Sequence, residues 1–264
     1  MTDPFQPGSY WEDRLRANYD ERGVGDIGLS KAYNTYLYAV RRRIFRRLLR
    51  RLPLTPSKTR VLDVGSGTGV YVQEWLRWGA GAVTGCDITQ VAVDRLAESF
   101  RAARFLRLDI GASVSDELRG ERFDVISAFD VLFHIVDDQR YRTSLERIAE
   151  LVVPGGWFLY SDNLVEHESR ISHFVSRTGS DIIGALTASG FIVRRRTPMF
   201  VVMNDPVRSR SRLLRRWFTI LYGIASRSEP WGGAVGRLLY PVELVATRLV
   251  RRGPSTEILI CQRV

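Results

Sequence analysis

The chain has 264 residues, 45% of them hydrophobic and 26% charged, with a formal net charge of +10. These proportions exclude a disordered polypeptide, and the length suits one domain, or one domain with an insertion. Two cysteines, Cys86 and Cys261, stand far apart with no C-x-x-C spacing, which excludes a disulfide framework and a thiolate zinc site and predicts a reducing, cytoplasmic setting.

The amino terminus, "MTDPFQPGSYWEDR", lacks the basic start and apolar stretch of an export signal. No run of about 18 apolar residues follows anywhere, so no spanning helix is predicted. Residues 1–58 read as a helical cap rich in aromatic side chains, with Tyr10, Trp11, Tyr33, Tyr36 and Tyr38 leading into "RRRIFRRLLRRLPLTPSKTR". That stretch, 41–60, holds nine Arg or Lys and no acid, and 205–255 holds ten Arg against three acids. Such segments suit a solvated surface with arginine stems laid over apolar faces, an acidic membrane surface, or an anionic acceptor. Without a recognised binding module, nucleic acid is not expected as a partner.

From residue 59, short β-branched runs alternate with helical patterns. "RVLDVG" precedes "VYVQEWLRWG", "AVTGCDI" precedes "TQVAVDRLAESFRAA", and "RFLRLDI" precedes "SDELRG". "FDVISAF" then precedes "QRYRTSLERIAELV", "GWFLYSD" comes before "GSDIIGALTASG", and "GFIVRRR" and "STEILICQRV" bring the strands to about seven. Repeated βα units predict an α/β fold around a mostly parallel sheet with helices on both faces. Its core would span 59–204 and end with 255–264 as the last strand. The insertion at 205–254 reads as two amphipathic helices separated by "SEPWGG".

The first strand runs into Gly65-Ser66-Gly67-Thr68-Gly69 and then a helix. Glycine there lets backbone N–H groups and the positive helix end approach a ligand that side chains would block. The spacing is G-x-G-x-G, neither the dinucleotide G-x-G-x-x-G nor a phosphate-loop G-K-[ST]. Asp63, two residues before the first glycine, suits a ligand with a cationic amino acid end better than a pyrophosphate.

These residues resemble the class I S-adenosylmethionine-dependent methyltransferases, whose first motif D/E-x-G-x-G-x-G is matched by Asp63, Gly65, Gly67 and Gly69. The resemblance covers 60–200 and implies a Rossmann-like fold and S-adenosylmethionine as cofactor, with S-adenosylhomocysteine as product. It implies that Asp87, ending the second strand, accepts the ribose hydroxyls. Asp109 would meet the adenine amino group, with Ile110 against the ring. Ser66, Ile88 and Phe129, at the same loop and strand ends, complete the expected contacts. Trp75, Trp78 and Phe100 read as core.

A sulfonium methyl is already electrophilic, so the protein must chiefly hold an acceptor in line with it, and a hydroxyl acceptor also needs a base. Candidates lie beyond the carboxyl ends of the strands: His134 with Asp130 after strand four, and Asp162 after strand five. His134 could alternatively orient its loop. Asn163, His167, His173, Tyr33 and Tyr36 are the acceptor-side candidates. Asp130, Asp162, His167 and His173 could hold a divalent metal such as Mg, although no ligand spacing argues for one. The expected function is O-methylation of a small hydroxylated acceptor, a sugar or glycan intermediate, with a lipid or quinone at a membrane surface as the alternative. A non-catalytic partner protein that keeps the cofactor fold is the third reading. The insertion could serve as a lid, a homodimer surface or a pair of helices resting on a membrane.

Overall fold

The structure is a computed structural model that describes residues 5–112 and 118–264. Half of the helix expected from "SDELRG" therefore lies outside the described residues. Two helices come first, α1 (Pro7–Ala17) and α2 (Lys31–Leu49). The alternating core follows as β1 (Arg60–Val64), α3 (Val70–Trp78), β2 (Ala82–Asp87), α4 (Gln90–Ser99), β3 (Arg104–Arg107) and β4 (Phe123–Ala128). It continues with α5 (Asp138–Leu151), β5 (Val152–Asp162), a ribbon of β6 (Ser169–Ile171) and β7 (Phe174–Ser176), α6 (Gly179–Ala188) and β8 (Phe191–Pro198). The chain closes with α7 (Arg212–Ala225), α8 (Glu229–Leu249) and β9 (Glu257–Arg263).

Seven strands form one sheet in the order β3-β2-β1-β4-β5-β9-β8. The strands from β3 to β5 are parallel, and β9 runs antiparallel to both β5 and β8. The central strands are apolar on both faces because both are covered. Val61, Val125, Leu159 and Ile260 point into a layer shared with α2, α3, α7 and α8, whereas Leu62, Ile126, Phe158 and Leu259 point toward α5 and α6. The β6–β7 ribbon is an addition that the sequence pattern does not foretell.

The insertion needs one correction. The helices α7 and α8 are separated by 226–228, and most of "SEPWGG" already belongs to α8. Pro230 fits there because a first-turn residue needs no donor N–H. The glycines serve close packing: a Cβ at Gly236 would lie 2.4 Å from the Tyr36 ring on α2. Glu243 of α8, fully buried, accepts hydrogen bonds from the backbone N–H groups of Val201, Val202 and Met203 and so ties the insertion to the segment after β8.

Candidate active site

At the carboxyl end of β1 the chain turns through Gly65, Gly67 and Gly69, all with positive φ (70°, 53° and 81°). A Cβ on Gly65 would sit 2.2 Å from Val131, and one on Gly69 would sit 2.5 Å from Phe100, so space and backbone both demand glycine. Among the described residues no side chain caps α3, so its first-turn N–H groups remain open to a ligand. Beside it lies a cavity lined by this loop, the ends of β2, β3 and β4, and one side of α1.

Asp87 lines that cavity. Its carboxylate accepts from Gly67 N–H (2.9 Å) and from the N–H and hydroxyl of Thr89 (3.0 and 2.8 Å), and burial raises its pKa against the pull of those donors. Asp109 also lines it, accepting from Gly111 N–H (3.0 Å) while pairing with Arg140 of α5. Gly65, Ser66, Gly67, Ile88, Ile110, Phe129 and Asp130 are lining residues too. Thr68 Oγ1 and Tyr71 Oη are buried with no partner among the described residues, and both residues line the cavity, Tyr71 stacked on Phe129 with ring centroids 4.2 Å apart. A glycine cradle, a carboxylate at the second strand end and two unpaired buried hydroxyls fit an adenosyl ligand with an amino acid tail. Asp87 and Asp109 would hold the nucleoside end, and the loop and α3 the other.

Asp63 differs from the expectation. It is 2% exposed and lies behind the loop, its Oδ1 accepting from Ser127 Oγ (2.6 Å), which in turn accepts from Trp75 Nε1 (3.0 Å). Burial pushes its pKa up to about 7. It does not line the cavity, so it braces the loop rather than facing a ligand.

His134 ends a short 3-10 turn after β4 and lines the cavity between Trp11 and Phe133, with ring centroids 4.7 and 4.6 Å away. Its Nδ1 lies 2.7 Å from the carbonyl oxygen of His173. A carbonyl can only accept, so Nδ1 carries the proton and Nε2 keeps a lone pair. Burial lowers the imidazole pKa to about 4, the His173 carbonyl opposing that shift. The orienting group is thus a backbone carbonyl on the β6–β7 ribbon, neither Asp130 nor Asp162. Asp130, at φ 58°, has its oxygens engaged by Arg41 Nε (2.9 Å) and Ser161 Oγ (3.0 Å). Asp162 is fully buried, holds Tyr160 Oη and the Asn163 N–H, and does not reach the cavity.

The other acceptor-side candidates scatter. Tyr33 is fully buried and donates to the Met203 carbonyl (2.7 Å), because its position in α2 faces the core. Tyr36 packs on Tyr240 and Gly236 under α8. Asn163 is spent on Ser176 and Thr256, and His167 is exposed away from the cavity. The ring of His173 stacks on Tyr10 at 5.2 Å. From the expected aromatic cap, Trp11 and Tyr38 do line the cavity. Residues not singled out by sequence include Arg140, Tyr71, Thr68 and Val131. Tyr71 and Thr68 adjoin the glycine motif and could have been found by their place in it, whereas Arg140 shows no signal beyond the first turn of a helix.

Among the described residues no group of three or more His, Cys, Asp or Glu could hold a metal ion, and no helix is long and apolar enough to cross a membrane. Curated relatives include a ribosomal protein L11 methyltransferase of Syntrophotalea carbinolica, 32% identical over 155 residues, 57% of this chain and 48% of that protein. Another is a ubiquinone biosynthesis O-methyltransferase of Rhizobium leguminosarum, 33% identical over 99 residues, 37% of each chain. The chain thus spans half or less of the length of these relatives. Among solved structures, the magnesium protoporphyrin IX methyltransferase of Synechocystis with bound S-adenosylmethionine superposes over all of both chains, with a TM-score of 0.59 at 15% identity, a likeness of fold. Residues 36–191, more than half of the chain, match the family model described as a methyltransferase domain, and with the glycine cradle and Asp87 in place the chain belongs to the S-adenosylmethionine-dependent methyltransferases.

Proposed function

We propose that the protein methylates a hydroxyl of a small, largely apolar acceptor whose O–H is phenol-like. The observation that carries this reading is His134: its tautomer is fixed by the His173 carbonyl, leaving Nε2 as a proton acceptor among Trp11, Phe133 and the cavity wall. When bound, the cofactor supplies an electrophilic methyl group. The residues of this chain hold the acceptor's oxygen in place, exclude water with aromatic and aliphatic walls, and take the hydroxyl proton at Nε2.

The pKa of about 4 bears on the acceptor. An imidazole that weak is a poor base toward an aliphatic hydroxyl, which ionises near water's ~15.7, and is better matched to a phenol at ~10. The expected sugar acceptor loses support, since Tyr33 and Tyr36, two of its acceptor-side candidates, are packed away from the cavity. An acceptor screen with radiolabelled methyl donor tests the proposal. Catechols, hydroquinones and simple phenols should be labelled well ahead of free sugars, and preferential labelling of a sugar alcohol would overturn it.

A second observation favours an acceptor drawn from a membrane. On α8, Trp231, Leu238, Val242, Val245 and Leu249 are all exposed at positions i, i+7, i+11, i+14 and i+18, one narrow face of the helix. Arg237, Arg248, Arg251 and Arg252 are exposed along or just beyond the same helix, the pattern of a helix lying in a lipid interface. The expected result is flotation of the protein with anionic vesicles, reversed by salt and lost in Leu238→Glu/Val245→Glu. Sedimentation showing that this variant dissolves a dimer, without any flotation of wild type, would assign the stripe to a second copy instead. The two cysteines are buried and free, which supports placing the reaction in the cytoplasm.

A further inference from the structure

At the opposite end of the sheet from the cofactor cavity lies a second pocket, and the two share no lining residue. Its floor is apolar, formed by Ile44 and Leu48 of α2, Trp157 of β5 and Ile260 of β9. Its walls carry four arginines, Arg47, Arg51, Arg194 and Arg195, and no carboxylate among the described residues.

Two local features assemble these cations. Arg47 and Arg51 are four residues apart, at the end of α2 and just past it. On β8 the register against β9 slips between Val193 and Arg195, a bulge that inserts one residue. Strand neighbours ordinarily face opposite sides of a sheet, and the bulge lets Arg194 and Arg195 both reach the pocket. Among the described residues none of the four makes an ion pair, whereas Arg41 and Arg140 at the cofactor end pair with Asp130 and Asp109. Arg47 is half-buried, and among the described residues its side chain's one hydrogen bond is a long one to the Thr247 carbonyl (3.5 Å). Burial and the neighbouring Arg248, Arg51, Arg195 and Arg43 all depress its pKa. Folding has gathered like charges without supplying their counter-ion.

We propose that this pocket is a binding site for a phosphate monoester. Guanidinium groups match phosphate oxygens in paired hydrogen bonds, and the apolar floor with Trp157 suits a ligand whose phosphate is carried on a hydrocarbon or ring. An acidic lipid headgroup and a soluble phosphate ester share this chemistry. The site is independent of the proposed acceptor.

The test compares wild type with Arg51→Gln/Arg195→Gln, two exposed residues outside the cofactor cavity. Inorganic phosphate, set against chloride at equal ionic strength, should raise the melting temperature of wild type by about 2 to 4 °C, the size given by filling one site at a few times its Kd. In the double variant that extra rise should vanish while S-adenosylhomocysteine binding stays unchanged. An equal phosphate effect in both proteins, or none in wild type, overturns the proposal. Phosphatidylcholine vesicles doped with phosphatidic acid then identify the source. Flotation of wild type but not of the variant assigns the phosphate to a lipid, and a phosphate shift without flotation assigns it to a soluble ester. Should the double variant fail to bind S-adenosylhomocysteine, showing that it is misfolded, Arg51→Gln alone carries the same comparison.

Discussion

The two ends of the sheet handle charge in opposite ways. At the carboxyl end, Asp87 is held by backbone N–H groups, Asp109 by Arg140 and Asp130 by Arg41, so these three carboxylates of the cofactor cavity are already satisfied and fixed in place. At the other end, four arginines line one pocket with no acid among its described lining residues. A site whose charges are pre-paired is rigid before its ligand arrives and loses little on binding. A site of unpaired like charge is strained until its ligand arrives. The contrast predicts that changes at the cofactor end act on binding and rate, whereas changes at the arginine end act on stability and in the opposite direction.

The largest effect should come from His134. Replacement by Ala is expected to lower kcat by roughly 10²- to 10⁴-fold, the usual contribution of a positioned base, with S-adenosylhomocysteine affinity nearly unchanged. Because burial holds its pKa at about 4, the ring is neutral throughout the physiological range. The rise in rate through pH 6.5 that an ordinary histidine would give should be absent, and kcat should stay level from about pH 5.5 to 8. Stability follows the same group. The unfolded chain takes up this proton near 6.5 and the folded one resists it, so the stability is full above 6.5 and is lost as pH falls toward 4. A kinetic limb at 6.5 that disappears in His134→Ala would place the ring in a wetter, more basic setting than the fold provides.

Next in size is Asp87. Its removal takes away a charged acceptor, and Asp87→Ala should weaken S-adenosylhomocysteine by roughly 1 to 3 kcal/mol in calorimetry. Asp63→Asn provides the contrast within the same motif: lying behind the loop and bonded to Ser127, it should alter melting temperature more than affinity. If Asp63→Asn cost more affinity than Asp87→Ala, the loop would have to open in the liganded protein. Tyr71→Phe removes one buried, unpaired hydroxyl. It should leave the free protein as stable or slightly more so, while costing about 0.5 to 1.5 kcal/mol in cofactor or acceptor binding if that hydroxyl meets a ligand.

The same contrast explains what could be read from sequence. The seven-stranded sheet, the glycine turn at 65, 67 and 69 and the cavity-lining carboxylates at 87 and 109 are local: each is a strand end followed by a glycine or a carboxylate, visible within a dozen residues. The parallel pairing from β3 to β5 agrees with that reading because repeated βα units build a parallel sheet. The acceptor side is not local. The orientation of His134 depends on a carbonyl 39 residues later, on a ribbon of two three-residue strands whose pattern is too short to detect. Tyr33, Tyr36 and Tyr38 were indistinguishable as an aromatic run, yet helical periodicity sends only Tyr38 to the cavity and the other two to α8 and the segment after β8. Asp162 ends a strand just as Asp87 does, but Tyr160 turns it inward. The arginine pocket was visible only as charge, because its other half comes from a bulge in β8.

The smallest predicted effect is the one that most sharply separates the two ends. Arg43, Arg47 and Arg51 stand at i, i+4 and i+8 along α2 and its exit, and like charges four apart on a helix destabilise it by about 0.2 to 0.5 kcal/mol per pair. Arg47→Gln keeps most of the stem that covers the apolar floor and removes the charge at the centre of the group. It should therefore raise stability in a chloride buffer at low ionic strength, by roughly 0.5 kcal/mol or a melting shift of about 1 to 2 °C. The gain should fade in high salt, where such repulsion is screened within a few ångströms. Adding phosphate should reverse the ranking, since the ligand stabilises only the protein that retains all four arginines. Equal melting temperatures at low salt would mean that solvent already relieves the repulsion around Arg47, and a loss of stability in Arg47→Gln would mean that its guanidinium is held by the Thr247 carbonyl more firmly than a 3.5 Å contact implies.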